Sequence, residues 1–171
     1  MKRIKKILVI ILMLLSTTTL NAENLLNRFI TDKLLEYIYG ANNYTIISGG
    51  YNEIEEYYPN TKIQGHIYKD QLLTIETGRD GKIKQSTFEF FNITSEDRIN
   101  YIIDYFIQSD NIKIVSKNIR NNGTFNNGIS IEGKLPSPYL KYYSAFIDAS
   151  WDYNDFKDFF FRYLRISYIG L

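Results

Sequence analysis

The chain contains no cysteine among its 171 residues. Disulfide bonds, thiol nucleophiles and thiolate metal sites are therefore excluded. A lipid anchor on an N-terminal cysteine is excluded for the same reason. The stability of the fold must come from an apolar core, and a chain of this length usually buries one as a single domain.

Histidine is almost as scarce, because His66 is the only one in the chain. A metal site built from several histidines is excluded, and a Ser-His-Asp triad would have to use His66. The sequence has no Gly-x-Ser-x-Gly element, no phosphate-binding Walker A loop and no dinucleotide glycine fingerprint. We expect His66 to lie on the polar side of a strand, and we predict no metal site, no cofactor and no catalytic residue.

Only one long apolar run is present, and it lies at the N-terminus. Residues 1–22 have the order of a secretory signal peptide: four Lys and Arg residues, nine apolar residues over 7–15, and a small polar tail ending at Ala22. Nine residues are too few to span a bilayer, which takes about 20 in a helix. The sequence therefore predicts export to the periplasm or the extracellular space. We expect cleavage near Ala22 and no membrane span in the mature chain.

A surplus of positive charge is also missing. Loss of residues 1–22 removes four of the 20 Lys and Arg residues and leaves 16 against 19 Asp and Glu. The mature chain would thus be slightly acidic. Without a basic surplus, we expect no binding to nucleic acid or to an anionic membrane surface.

The remainder of the chain contains one stretch that occurs twice, at 34–48 and 102–116, with an offset of 68 positions. Each copy has the pattern of a helix end, a short turn and a strand. We interpret it as a degenerate tandem repeat with halves at about 23–92 and 93–171, the alternative being chance similarity. The pairs that are identical at this offset include Tyr37/Tyr105, Asn43/Asn111, Ile46/Ile114, Ser48/Ser116, Ile63/Ile131 and Gly65/Gly133.

Hydrophobic periodicity predicts the elements of each half. Helical spacing runs from Leu25 to Ile38, before a stop at Gly40, and again over 94–108, where Thr94 is the predicted cap. Segment 159–169 fits a helix or a strand, and its aromatic and β-branched residues favour a strand. The other predicted strands are 44–48, 62–69, 71–77, 82–91, 111–119, 129–134 and 139–149, with a hairpin turn at 78–81.

The predicted fold class is α+β, with two tandem, degenerate helix-plus-four-strand units. We expect a mostly antiparallel sheet with helices packed on one face. No linker rich in Pro, Gly or Ser separates the halves, so residues 23–171 are predicted to form a single domain. In architecture alone, this arrangement resembles the secreted beta-lactamase inhibitor proteins, which duplicate a helical segment plus a four-stranded sheet. The resemblance implies a fold and not a function.

The abundance of tyrosine is the strongest indication of function. The chain has 15 Tyr and 11 Phe, and a core accommodates Phe more readily than Tyr because a buried hydroxyl needs a partner. Exposed Tyr often anchors protein–protein interfaces, although it also covers the rim of small cores. We predict a non-enzymatic binding or inhibitor-type protein. Its partner would be another protein or a glycan outside the cytoplasm.

The candidate binding residues lie in the two loops that follow the repeated strand. Loop 49–60 is aromatic and acidic, whereas loop 117–128 is basic and polar. We expect equivalent loops to emerge at the same edge of the fold and to offer a partner charges of both signs. The alternative is that both loops are solvated connectors. The candidates are Tyr51, Glu53, Glu55, Glu56, Tyr57, Tyr58, Arg120 and Phe125, with Tyr57 and Tyr58 as anchors.

Two other functions stay open at the level of the sequence. A carboxylate-dependent glycan hydrolase of the cell envelope needs neither Cys nor His, but it needs one carboxyl group that is desolvated enough to hold its proton. A small outer-membrane β-barrel fits eight strands into the mature chain. The helix predicted over 94–108 argues against the barrel, because a barrel wall has no place for it.

Overall fold

The computed structural model describes residues 25–41, 43–54, 57–135 and 143–170. The predicted signal peptide, residues 1–22, lies outside these ranges. The described residues form an eight-stranded sheet with two α-helices, an α+β arrangement as predicted. The elements are α1 (Asp32–Tyr39), β1 (Tyr44–Ser48), β2 (Lys62–Tyr68), β3 (Gln71–Thr77), β4 (Ile83–Phe90), α2 (Glu96–Ser109), β5 (Lys113–Arg120), β6 (Asn127–Lys134), β7 (Tyr143–Tyr153) and β8 (Phe159–Gly170).

The strand order across the sheet is β1-β2-β3-β4-β8-β7-β6-β5. Every neighbouring pair is antiparallel, which confirms the prediction of a mostly antiparallel sheet. Strands β4 and β8 are at the centre, and β1 and β5 are the two outer strands. Because seven antiparallel pairings separate them, β1 and β5 run in opposite directions.

The cross-strand register divides the side chains between two faces, since residues directly opposite each other point to the same side. On one face, which we call the helix face, buried side chains form a continuous row: Leu73, Phe88, Ile166, Ile147 and Ile131. The next row along the strands points to the other face, which we call the open face: Thr74, Thr87, Ser167, Phe146 and Glu132. Period-two alternation therefore places the core on one side of the sheet.

Both helices pack on the helix face. Tyr39 of α1 lies against Gly65, and its hydroxyl donates to the carbonyl of Leu73 at 3.1 Å. Phe106 of α2 packs on Phe88 with 5.4 Å between the ring centroids. At the end of α2 the Tyr168 hydroxyl donates to buried Asp110, and burial raises the pKa of Tyr168.

Helix α1 begins at Asp32, so the prediction of a helix from Leu25 was wrong. Thr31 caps it, because its hydroxyl oxygen accepts from the Leu34 N–H at 3.2 Å. Upstream, Asn27 has a left-handed φ of 64°, and Phe29 forms an isolated β-bridge with Lys82. The backbone of this segment therefore does not continue the helix. Leu25, Leu26 and Ile30 are nonetheless buried, so the apolar spacing upstream of Asp32 reflects packing on the core and not a continuation of α1.

Helix α2 begins one residue later than predicted. Its cap is Ser95, which accepts from the Arg98 N–H at 3.2 Å, in place of Thr94. The apolar stripe predicted for this helix is Ile99, Ile102, Ile103 and Phe106; the three isoleucines are buried, and Phe106 is partly buried against the core.

The ambiguous segment near the C-terminal end of the described chain is a strand. β8 spans Phe159–Gly170 and pairs with β4 on one side and β7 on the other. Asn154 forms the turn before it, because its side-chain oxygen accepts from the N–H groups of Phe156 and Asp158 at 2.9 and 2.8 Å. The aromatic and β-branched composition thus reflects a central strand. β7 extends further than predicted, to Tyr153, and residues 136–142 lie outside the described ranges.

Candidate functional site

Tyr58, one of the two predicted anchors, belongs to the core. Only 5% of its surface is exposed. Its hydroxyl donates to Asp32 Oδ1 at 2.5 Å, and its carbonyl accepts from Thr77 Oγ1 at 2.6 Å. Burial, together with the contact to Asp32, raises the pKa of Tyr58 above its ordinary value. The prediction that Tyr58 is an exposed anchor is therefore wrong, because its hydroxyl has found a partner at the start of α1.

The other described residues of this loop are only partly available to a partner. Tyr57 is half-buried, and its ring covers Gly81, where an added Cβ would lie 3.1 Å from Tyr57 Cγ. Tyr51 is exposed, with its ring centroid 5.0 Å from that of Tyr58. Glu53 is exposed as well. Glu55 and Glu56 lie outside the described residues.

The two predicted loops do not come together. Loop 49–61 follows β1, and the loop with Phe125 follows β5, so they lie beyond opposite edges of the sheet. Seven strand spacings of about 4.8 Å separate these edges along the sheet, roughly 34 Å. Because β1 and β5 run in opposite directions, the loops also emerge at opposite ends. The expectation of a shared edge is wrong, and Arg120 and Phe125 belong to a different corner from Tyr51.

The open face of the sheet is a larger candidate surface than either of the two predicted loops. The register places side chains from seven strands on it in two parallel rows, and all of them are polar except Phe146 and Leu72. Neither helix covers it, because both pack on the opposite side. The rows are Gln64, Thr74, Thr87, Ser167, Phe146, Glu132, Ser116 and His66, Leu72, Glu89, Arg165, Asp148, Ser130, Asn118.

An aromatic and charged group lies near the middle of the open face. We call it the central patch and define it as Phe146, Asp148, Tyr163, Arg165 and Glu89. Phe146 is 39% exposed, whereas Phe88 on the helix face is 2% exposed. Arg165 donates to Glu89 Oε1 through Nε at 2.8 Å and Nη2 at 2.5 Å. The Tyr163 hydroxyl donates to Asp148 Oδ2 at 2.9 Å.

Arg120 joins the central patch from the outer strand. Its side chain crosses Gly128 of β6, where an added Cβ would lie only 2.8 Å from Arg120 Nη2. The guanidinium comes near the Tyr163 hydroxyl. Partial burial and the Asp148 carboxylate raise the pKa of Tyr163, while Arg120 opposes that shift. Because Gly128 has no side chain, the Arg120 guanidinium of β5 can cross β6 and reach Tyr163 of β8.

Asp152 is a paired carboxylate near this face. Asp152 accepts from the Asn126 N–H at 2.8 Å and from Arg162 Nε at 2.6 Å. The Asn126 N–H, with help from Arg162, lowers the pKa of Asp152. A general acid needs the opposite shift, since it must hold a proton at neutral pH. The lowered pKa keeps Asp152 in its carboxylate form, and its hydrogen bond with the Asn126 N–H holds the 122–127 loop in place.

His66 lies on the exposed side of β2, as expected, with its ring centroid 6.4 Å from that of Phe91. Within the described ranges, no group of three or more His, Asp or Glu side chains is placed to hold a metal ion. Nor does any helix in those ranges have the length and apolar character needed to cross a bilayer.

Sequence reasoning missed most of the central patch. Phe146 and Asp148 alternate along β7, and Tyr163 and Arg165 alternate along β8, which is the period-two signal of a strand with one wet side. That signal was present, but assigning its outward side requires knowledge of which strands are neighbours. Arg120 alone was among the predicted site residues, and the structure brings it to this patch.

Comparison with known proteins gives no relative: no protein-family model, curated protein or solved structure matches the chain.

Proposed function

We propose that this is a non-enzymatic binding or inhibitor-type protein that holds another protein or a glycan on its open face. The observation that carries the proposal is the central patch, in which exposed Phe146 shares the sheet surface with the hydrogen-bonded pairs Tyr163–Asp148 and Arg165–Glu89. A single exposed Phe is ordinary, but an exposed Phe beside paired polar groups resembles the hot spot and rim of an interface.

The size of the open face supports this proposal. Eight strands at about 4.8 Å and about six residues of 3.4 Å along each give roughly 780 Å². That is close to the ~800 Å² that each partner buries in a standard protein–protein interface. The face is also preorganised, because hydrogen bonds and ion pairs already hold Tyr163 and Arg165 in place. Preorganised side chains lose little conformational entropy on binding.

We also propose that the two halves are degenerate copies of one unit. Each outer strand carries a β-bulge, at Ile47 in β1 and at Val115 in β5. These two positions are 68 residues apart, which is the offset of the sequence repeat. Gly65 and Gly133 likewise each lie beneath the segment that joins a helix to an outer strand. The central patch would then occupy the join between the copies, since Glu89 is on β4 and the other members are on β7 and β8.

We propose that the protein acts outside the cytoplasm, on the strength of the signal-peptide pattern in residues 1–22. When the full chain is expressed in bacteria, protein recovered from the cell envelope or medium is expected to lack about 22 N-terminal residues. The measurement is intact mass. A cytoplasmic pool with full-length mass as the sole product would overturn this part of the proposal.

The open face is tested with two pairs of matched variants. Phe146→Ala and Tyr163→Ala remove rings of the open face, whereas Phe156→Ala and Tyr101→Ala remove exposed rings elsewhere. Immobilised wild type is used to capture partners from envelope extract and from a glycan array, and affinity is then measured for each variant. We expect the open-face variants to weaken capture by about 2 kcal/mol or more, roughly 30-fold, and the controls to change it little.

Equal capture by all four variants, with melting temperatures unchanged, would rule out the open face as the binding surface. The same preparations should be screened for hydrolysis of cell-wall and other glycans. Hydrolysis that is lost in a single Glu→Gln or Asp→Asn variant would replace the binding function with the carboxylate-dependent hydrolase.

A further inference from the structure

Outer strand β5 is exposed along its whole length. All eight of its residues, Lys113–Arg120, are exposed, and it pairs only with β6 among the described strands. The unpaired N–H and C=O groups of such an edge invite another strand, and natural sheets usually protect it with charges, a bulge or a covering segment. β5 carries a bulge at Val115 and several cations, which repel a basic strand but attract an acidic one. The other outer strand, β1, is shorter, with five residues, and carries no charge.

The charge on β5 is of one sign. It carries Lys113, Lys117 and Arg120 and no acid, although the chain after residue 22 has more acidic than basic residues. Lys113 also lies directly opposite Lys134 of β6. Like charges at opposed positions repel each other. The ion pairs among the described residues join other side chains and leave Lys113, Lys117 and Lys134 without a carboxylate.

The same strand exposes apolar side chains on its other face. Ile114 and Ile119 are in register with Gly133 and Ile129, so they point to the helix face, where α2 does not reach them. Both are exposed. The edge thus offers cations toward the open face and isoleucines toward the helix face, with Lys117 beside the isoleucines.

We propose that the β5 edge binds an extended, acidic peptide segment of a partner protein as a ninth strand. Main-chain hydrogen bonds to β5 would supply affinity that does not depend on sequence. Alternating side chains would then supply selectivity, with carboxylates meeting Lys113 and Lys134 and apolar residues meeting Ile114 and Ile119. Arg120 is the one residue of β5 that reaches the central patch, whereas Lys113, Lys117, Ile114 and Ile119 do not belong to it, so the inference goes beyond the proposed function.

Charge argues against a second copy of this chain as the occupant. Antiparallel pairing of β5 with the β5 of another copy would bring cations close to cations along a strand that has no acid. Pairing with the uncharged β1 of another copy would leave Lys113 and Lys134 unneutralised. An acidic segment instead relieves the repulsion between Lys113 and Lys134.

The test uses full-length mature protein and a fluorescent ten-residue peptide of alternating Glu and Val or Ile, followed by fluorescence polarisation. The control peptides are a scramble of the same composition and a version with Lys for Glu. The protein variants are Lys113→Glu/Lys117→Glu and, with the same change in net charge, Lys84→Glu/Lys157→Glu at exposed positions outside β5. We expect the β5 variant to weaken binding about tenfold or more, and the control variant to bind normally apart from a small long-range effect.

Two further measurements make the result decisive. Lys-for-Glu peptide should bind the charge-reversed β5 variant better than wild type, which a misfolded variant would not do. Hydrogen exchange of β5 amides should slow when the acidic peptide is bound. Phe146→Ala should leave the affinity of the protein for this acidic peptide unchanged. Equal binding to both double variants, unaltered β5 exchange, or a dimer of wild type that Ile119→Lys dissociates would each overturn the proposal.

Discussion

Replacing Phe88 with Ala is expected to lower the free energy of unfolding by about 4 kcal/mol, the middle of the range for removing a buried aromatic ring. Phe88 is almost fully buried at the centre of the sheet. Its ring packs on Phe106 of α2 at 5.4 Å and meets Tyr168 of β8 edge-on at 6.2 Å between centroids. The loss would leave a cavity bounded by a helix and two central strands, which cannot collapse without moving all three.

Urea denaturation at equilibrium measures this loss, and the melting temperature should fall by roughly 8–16 °C. Phe156→Ala is the matched control, because that ring is 86% exposed, and its effect should stay within about 0.5 kcal/mol. Phe88 belongs to β4 and its neighbours belong to α2 and β8, so all of these elements share one core. The variant should therefore still unfold in one transition. Similar stability for the two variants would show that the packing around Phe88 is not as described.

Replacing Gly65 with Ala is expected to destabilise the fold by about 3 kcal/mol, because the added methyl group has no room. A Cβ at this position would lie 2.7 Å from Tyr39 Cδ1 and 3.0 Å from Tyr44 Cα, and closer still to the carbonyl oxygen of Asn43. Two of these three contacts are with main-chain atoms, which cannot rotate away. Relief therefore requires β1 and the end of α1 to move off the sheet.

Gly50→Ala is the matched control for Gly65→Ala, since nothing lies within 4 Å of an added Cβ there. Its stability should be close to that of the wild type or slightly higher, because alanine restricts the unfolded chain. Chemical denaturation of both variants checks the difference. If Gly65→Ala proves as stable as Gly50→Ala, the close approach of α1 and β1 to β2 is wrong.

Elements whose boundaries are set by local residues could be predicted from the sequence. β3 spans Gln71–Thr77 as predicted, because the turn at 78–81 and the one at Lys69-Asp70 both lie next to it in the chain. The start of α1 could not be predicted in this way. The bridge from Phe29 to Lys82 ends the helical pattern, and no local residue indicates a partner more than 50 positions away.

The candidate site was harder to predict than the fold for the same reason. The sequence around Tyr58 predicts an exposed loop residue, because its hydrogen-bond partner Asp32 is 26 positions away. The relation between loops 49–60 and 117–128 depends on strand order, and the alternation in β7 and β8 does not say which side faces water. Arg120 reached the patch because Gly128 on the neighbouring strand has no side chain to obstruct it.

The central position of β8 has a consequence for how the chain folds during synthesis. β8 leaves the ribosome after every other described strand, yet it alone joins β4 to β7, and Thr87 meets Ser167 across 80 positions of sequence. Contacts that distant form slowly, because the intervening chain must be closed into a loop. Until β8 arrives, two separate four- and three-stranded sheets carry bare edges at β4 and β7, which are targets for chaperones and for misassembly with neighbouring chains.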